Sequence, residues 1–275
     1  MRIGLDVAAQ RMPFADVVDR TRFAEGLGFD GVWGFDHFQP MYGEGPGECF
    51  EGYTTMAALA MVTERVRLGL LVTGLTYRPL GLLAAEAITI DHASNGRLEL
   101  AIGTAWFEGE HTALGFPFPP TGARVDLLED ALNILPRLFT EDDVTYAGKQ
   151  VSVANATINP KPVQQPSIPI WVGASGEKRS LPMVAKWADA WHCFGGVDYL
   201  APKNRVLDSM CEAAGRDPST LLRAASISIE GPVDDARREI DAWRDAGFGY
   251  LIAGWPSGGR EQVEAFAAVL DSVQR

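Results

Sequence analysis

Short apolar runs alternate with amphipathic stretches from one end of this chain to the other, and they do so eight times. The apolar runs are "RIGLDV" (2–7), "DGVWGF" (30–35), "VRLGLLV" (66–72), "RLELAIG" (97–103), "PIWVGA" (169–174), "DAWHCF" (189–194), "RAASISI" (223–229) and "GYLIAGW" (249–255). They are short and rich in Val, Ile and Leu, as strands buried on both faces are. Helical patterns follow each of them: Ala15 to Leu27, stopped by Gly28; "YTTMAALAMVT"; a helix beginning near Pro79; Arg124 to Phe139; "EKRSLPMVAKWA"; 198–214; "DDARREIDAWRDAG"; and "REQVEAFAAVLDSV". Pro at a first turn and Gly past a last turn are the expected punctuation.

Repeated strand–helix units imply a parallel sheet, and eight of them imply a closed α/β barrel of the (β/α)8 TIM type. An open doubly wound sheet is the alternative, but it wants a glycine-rich phosphate turn after the first strand, and "LDVAAQRMPF" has no GxGxxG. The 275 residues suit a single barrel domain over 1–275. One stretch breaks the rhythm. Residues 140–167 are rich in prolines and turn formers and read as an insertion before strand five, with a small hairpin at "VTYAGKQVSV".

The net charge of -12 argues against nucleic acid or an anionic membrane as the main partner. The three cysteines, Cys49, Cys193 and Cys211, are scattered and form no CxxC, so neither a disulfide framework nor structural zinc is expected. The four histidines stand singly, and no metal site is expected from them. The start of the chain lacks a signal-peptide pattern and no stretch has membrane-spanning length, so a cytoplasmic protein is expected.

In such a barrel the chemistry sits at the C-terminal strand ends. Strand two ends in Asp36 and His37, which read either as an acid that sets a histidine ring or as a helix cap beside a surface histidine. Strand three leaves through Thr73 and Gly74, where the chain either bends at a ligand or merely turns into a helix. Strand four ends in Gly103, Thr104 and Ala105, small enough for backbone to approach a ligand, and then in Trp106 and Phe107, which could wall a flat ring or cap the core. Glu110 reads first as a structural partner of Arg124. Strand five runs into Gly173, Ala174, Ser175 and Gly176 at a helix start, an arrangement suited to an anion, with Lys178 and Arg179 adding positive charge. His192 and Cys193 on strand six read as a core histidine and a structural thiol. A metal-dependent barrel hydrolase would need ligands that these strand ends do not offer.

Six stretches taken together carry a resemblance: "AEGLGFDGVWGFDH", "RVRLGLLVTGLTYRP", "NGRLELAIGTAWFEGEHTALGFPFPP", "GARVDLLEDALNIL", "NPKPVQQPSIPIWVGASGEKRSLPMVAKWADAW" and "DAGFGYLIAGW". In this order and spacing the chain resembles the luciferase-like monooxygenase superfamily, most closely its branch that uses the deazaflavin coenzyme F420. The resemblance implies a homodimeric barrel with the cofactor at its C-terminal mouth and a small organic substrate. It implies that Asp36 and His37 lie beside the ring, that Leu71–Val72 is a cis peptide forming a bulge behind it, and that Thr73 and Gly74 line it. Gly103, Thr104 and Ala105 would touch the ring or its side chain, and Gly173, Ala174, Ser175 and Gly176 would hold the phosphate. Some relatives carry a proton-donating glutamate where this chain has Trp106, so His37 becomes the expected proton-transfer group, with Glu110 and Glu108 behind it. FMN is the alternative cofactor, with a flavin monooxygenase as the alternative activity. A cofactor-binding protein without turnover is a third reading. The loops 38–52 and 107–121 are expected to shape the substrate pocket.

Overall fold

The computed structural model describes residues 1–273. Its elements run β1 (Arg2–Asp6), α1 (Phe14–Leu27), β2 (Gly31–Gly34), α2 (Gly52–Ala60), β3 (Arg67–Leu70), β4 (Thr73–Gly74), α3 (Leu80–Ala93), β5 (Leu98–Gly103), α4 (Glu108–Leu114) and α5 (Thr121–Thr140). They continue with β6 (Val144–Ala147), β7 (Ser152–Ala156), β8 (Ile170–Gly173), α6 (Ser180–Trp187), β9 (Ala190–Cys193), α7 (Val197–Ala213), β10 (Leu222–Ile227), α8 (Val233–Asp245), β11 (Tyr250–Gly254), α9 (Gly259–Ala267) and α10 (Leu270–Val273). Each of the eight apolar runs overlaps one barrel strand.

The strands pair in parallel in the order β1, β2, β3, β5, β8, β9, β10, β11, and β11 returns to β1. The β3–β5 pairing, Leu68 against Leu98, closes the ring. This is the (β/α)8 barrel that the sequence rhythm predicts. β4 continues the line of β3 after Leu71 and Val72 and pairs Thr73 with Ile102. The Leu71–Val72 peptide is cis, as the resemblance implies. Within the insertion, β6 and β7 form the antiparallel hairpin expected there. Asp91 of α3 anchors the segment between this hairpin and β8, accepting hydrogen bonds from the Val163 and Gln164 amides at 2.7 and 3.1 Å.

Alternation along each strand divides the apolar side chains between two cores. Those facing outward meet the helices. On α8, for example, the buried residues are Ala236, Ile240 and Trp243, a stripe at helical spacing. Those facing inward fill the barrel, where the rings of Trp33 and Trp171 lie 4.7 Å apart and Trp33 and Tyr250 meet edge to face at 5.8 Å. Trp33 Nε1 donates to the Tyr250 hydroxyl at 3.1 Å and Trp171 Nε1 to Glu99 at 2.7 Å, so both indoles are satisfied inside the barrel. Large rings need small neighbours: a Cβ at Gly69 would run into Trp33, and one at Gly31 into the Tyr250 hydroxyl. Glu99, buried between Arg67 and Arg2, tethers the opposite end of the barrel from the strand C-termini.

Two boundaries differ from the sequence expectation. The helix after strand four starts at Thr121, directly after Pro120, and a separate short helix, α4, occupies 108–114. Residues 107–121 therefore hold a short helix and then an extended segment up to α5, and are not an open loop throughout. The helix after β8 begins at Ser180, four residues beyond Gly176, with a turn between them. No helix among the described residues is long and apolar enough to cross a membrane.

Candidate active site

Above the aromatic plug, at the C-terminal strand ends, the mouth opens into a cavity of about 1000 Å³. Its wall comes from the ends of β2, β3–β4, β5, β8 and β9 and from the first turns of α5. The cavity therefore lies where barrel topology puts it.

The β2 side presents a histidine held by an acid. His37 lies at the cavity wall, and its Nδ1–H donates to Glu110 Oε2 at 3.0 Å. Glu110 reaches it from the first turn of α4 and is fully buried. The same carboxylate accepts the Tyr77 hydroxyl at 2.5 Å and the Phe38 and Gln39 amides at 2.7 and 2.8 Å. Burial opposes its charge, but the hydrogen bonds from His37, Tyr77 and the Phe38 amide outweigh that and hold the carboxyl below its ordinary range. An anionic Glu110 accepting at Nδ1 fixes the His37 tautomer and leaves Nε2 as the free base or acid. Tyr77 is held in turn. Its ring stacks on His111 at 4.3 Å, and His111 is locked by Thr76 at 2.6 Å and the Phe107 carbonyl at 2.7 Å. Burial, reinforced by Glu110, pushes the Tyr77 phenol up, so it stays a donor.

Two sequence readings are corrected here. Glu110 does not pair with Arg124; that guanidinium sits over the Phe118 ring and donates to the Pro119 carbonyl. Nor does Asp36 orient its neighbour His37. Asp36 accepts two hydrogen bonds from Arg78, at 2.7 and 2.9 Å, and one from the Gly74 amide at 3.0 Å. Burial alone would lower Arg78, but its bonds to Asp36 reverse this and keep it charged. The acid that serves His37 is 73 residues away and not adjacent to it. Sequence spacing could not reveal that, because α4 is too short to show a helical period of its own.

Behind the cavity floor, Val72 of the bulge fills the space between β5 and β8. A Cβ on Gly103 would lie 2.7 Å from Val72 Cγ2, and one on Gly173 would lie 2.9 Å from both Val72 methyls. The small residues that end these strands therefore make room for Val72, which in turn lines the cavity with Leu71. Gly74, Gly103, Thr104 and Ala105 also reach the wall. Thr73 does not; it is buried, and its hydroxyl is hydrogen-bonded to that of Tyr53 at 2.7 Å. Trp106 lines the cavity mouth and is 66% exposed, with Phe107 stacked against it at 5.3 Å. Of the two loops expected to shape the pocket, 38–52 contributes Met41 and Tyr42, and 107–121 contributes only Thr121, at the start of α5.

The β8 side offers donors. Gly173, Ala174, Ser175 and Gly176 all line the wall. The Ala174 amide is bonded to the His192 carbonyl, whereas the amides of Ser175, Gly176 and Glu177 have no hydrogen-bond acceptor among the described residues. Successive unpaired amides form an anion-binding concavity. Lys178 lies beside them without an ion pair among the described residues, while Arg179 is spent on Asp126 at 2.6 Å. His192 and Cys193, read from sequence as core residues, are cavity-lining as well. His192 is nonetheless buried, bonded to Ser226 at 3.1 Å, and lowered by that burial to about 4. No cluster of His, Cys, Asp and Glu among the described residues could hold a metal.

Comparison with known proteins fits this geometry. The profile of the luciferase-like monooxygenase family matches residues 1–269. An F420-dependent glucose-6-phosphate dehydrogenase of Intrasporangium calvum is 33% identical over 227 residues, covering 80% of this chain and 66% of that protein. One from Microbacterium testaceum is 30% identical over 250 residues, covering 88% and 73%. Among solved structures, an F420-dependent secondary alcohol dehydrogenase superposes with a TM-score of 0.89 at 18% identity, over 100% of this chain and 99% of that one. The coenzyme F420-dependent tetrahydromethanopterin reductase of Methanopyrus kandleri gives 0.82 at 16% identity, over 98% and 96%. These two share the fold. With the barrel closed, its mouth furnished as described and the profile matched almost end to end, this chain belongs to the luciferase-like monooxygenase family.

Proposed function

We propose that this chain is a coenzyme F420-dependent oxidoreductase acting on a small organic substrate. One observation carries the reading: a single mouth cavity places a tautomer-locked histidine, His37, on one side and a row of unpaired amides with Lys178 on the other. Relatives at 30–33% identity that are F420-dependent dehydrogenases support the choice of deazaflavin over FMN.

The residues fit such a group. The amides of Ser175, Gly176 and Glu177 and the Lys178 ammonium suit a phosphate-bearing tail. Val72 and Leu71 offer an apolar floor for a flat ring, with Gly74, Gly103, Thr104 and Ala105 at its edge. The chemistry that a deazaflavin supplies when bound is acceptance or return of a hydride. The protein's own part is proton transfer at His37 Nε2. Glu110 holds that ring and is itself held by Tyr77 and two backbone amides. His37 is thus the catalytic residue, and Glu110 the residue that positions it. We further place the chain as one barrel domain in a cytoplasmic homodimer. Exposed Met61 at the end of α2 and exposed Leu82 on α3 are apolar side chains available to a second copy, which light scattering in solution tests.

The functional test is anaerobic bleaching of F420 by a panel of alcohols, run beside oxygen uptake with reduced FMN. Bleaching without oxygen uptake is expected. Oxygen uptake with FMN and no F420 bleaching would make the chain a flavin monooxygenase. Tight F420 binding with no bleaching by any substrate would leave a binding protein.

A further inference from the structure

The free amides of Ser175, Gly176 and Glu177 belong to three consecutive peptide groups, and the carbonyl of each group is held by a different donor. Trp191 Nε1 donates to the Ala174 carbonyl at 2.7 Å. Lys203 Nζ donates to the Ser175 carbonyl at 3.3 Å. The Ser180 and Leu181 amides donate to the Gly176 carbonyl at 3.0 and 2.9 Å. In a trans peptide the carbonyl and the N–H point in opposite directions, so whatever holds the carbonyl also aims the N–H.

Two of these three clamps are parts of the barrel itself. Trp191 is fully buried, and Ser180 and Leu181 open α6. The third is a lone side chain. Lys203 reaches the loop from α7 with its side chain only 13% exposed, and its ammonium is anchored on Glu177 Oε1 at 2.8 Å. Tyr199, one turn earlier on α7, faces the same ammonium at 5.0 Å. The peptide that Lys203 holds ends in Gly176, which has no Cβ to oppose a reversal of that peptide group. Reversed, the group would turn the Ser175 carbonyl on the anion in place of the Gly176 N–H, an acceptor facing a negative charge.

We infer that Lys203 is a positioning residue for the cofactor's phosphate: it fixes the Ser175–Gly176 peptide with its N–H toward the anion and its carbonyl away. This rests on the F420 reading and adds a residue to it. Lys203 stands behind the loop and acts through that peptide, whereas Lys178 and the amides line the cavity.

The test reads F420 binding by tryptophan quenching and the Gly176 amide by nitrogen-15 NMR. Inorganic phosphate is the second probe, since it has no ring. In wild type, both probes should move the Gly176 amide proton downfield. Lys203→Met should lose that shift and weaken F420 about 10-fold, the size of one amide–anion hydrogen bond. Lys203→Arg should restore both. Glu177→Gln should bind about 2-fold tighter, because it only takes a partly exposed negative charge from the wall. The double variant Lys203→Met/Glu177→Gln should stay as weak as Lys203→Met, since removing the Glu177 charge does not turn the peptide back. Wild-type affinity in the double variant would mean that Lys203 merely neutralises Glu177, and would overturn the inference. Unchanged binding in Lys203→Met, or a Gly176 amide that moves with neither probe, would overturn it too. A phosphate shift at Gly176 that Lys203→Met abolishes, with no F420 binding in either protein, supports the inference and sinks the F420 reading.

Discussion

Glu110 Oε2 accepts the Nδ1–H of His37 at 3.0 Å, across 73 residues of sequence, while the Tyr77 hydroxyl grips the same oxygen at 2.5 Å. The histidine at the mouth is thereby held by an acid that is itself held from the other side. Glu110→Gln is expected to keep the fold and to lower kcat by roughly 10²-fold, within the range that a positioned acid–base group contributes. The loss should fall on kcat at every pH, because a neutral amide no longer fixes the His37 tautomer. Steady-state rates check this. Full kcat in the variant would remove Glu110 from the account.

The same carboxylate makes stability depend on acid. Its folded value lies below the ordinary one of 4.5, so the stability it contributes is fully present above pH 4.5 and is lost as pH falls through the folded value. Tyr77→Phe removes one of the donors that depress it. Denaturant unfolding at stepped pH should show a shallower acid loss in Tyr77→Phe than in wild type below pH 4.5.

His192 acts in the opposite sense to a charged surface histidine. It is buried and lowered from 6.5 to about 4, so the unfolded chain takes up its proton first as pH falls. Stability is unaffected above pH 6.5, declines between pH 6.5 and 4, and levels off below that. Such a shift corresponds to at most about 3 kcal/mol by the linkage of pKa to free energy. His192→Gln should flatten that interval in denaturant unfolding measured from pH 7 to 4.

Val72 and Gly103 form a fitted pair. Gly103→Ala places a Cβ at 2.7 Å from Val72 Cγ2 and should cost about 1–3 kcal/mol by overpacking. Adding Val72→Ala should recover part of that loss, giving a coupling that a double-mutant cycle detects. Strict additivity would show that the two do not touch.

Arg78→Leu leaves Asp36 buried without its partner and should cost about 3–5 kcal/mol, as broken buried ion pairs do. Thermal unfolding measures it, and a loss well below that range would mean that Asp36 finds water or another donor.

The barrel was readable because its strands are buried on both faces and its helices carry one apolar stripe, so period and order alone define it. The unpaired amides after β8 were readable in part: the glycine-flanked strand exit was visible, but the Ala174 amide pairs with the His192 carbonyl and the helix starts only at Ser180. Contacts between distant elements were not. Glu110 and Arg124 stand in neighbouring stretches of sequence, yet the chain leaves α4 through Gly115 and Glu110 turns to His37 beyond β2. Asp36 precedes His37, but both lie beyond the end of β2, and Asp36 is taken by Arg78. Gly103 and Gly173 read as room for a ligand; the Val72 bulge that they accommodate is set by backbone geometry that no local pattern encodes.

The central claim is that the mouth cavity takes F420 through the amides of Ser175, Gly176 and Glu177 and the Lys178 ammonium. Its most direct measurement is a titration of the purified protein with F420 and with FMN, followed by tryptophan quenching, in wild type and Lys178→Ala. The account predicts saturable F420 binding at least 10-fold tighter than FMN, weakened about 3- to 10-fold by Lys178→Ala at unchanged thermal stability, the size expected for one partly exposed charge–phosphate contact. Equal or tighter binding of FMN, or binding of neither, would contradict it.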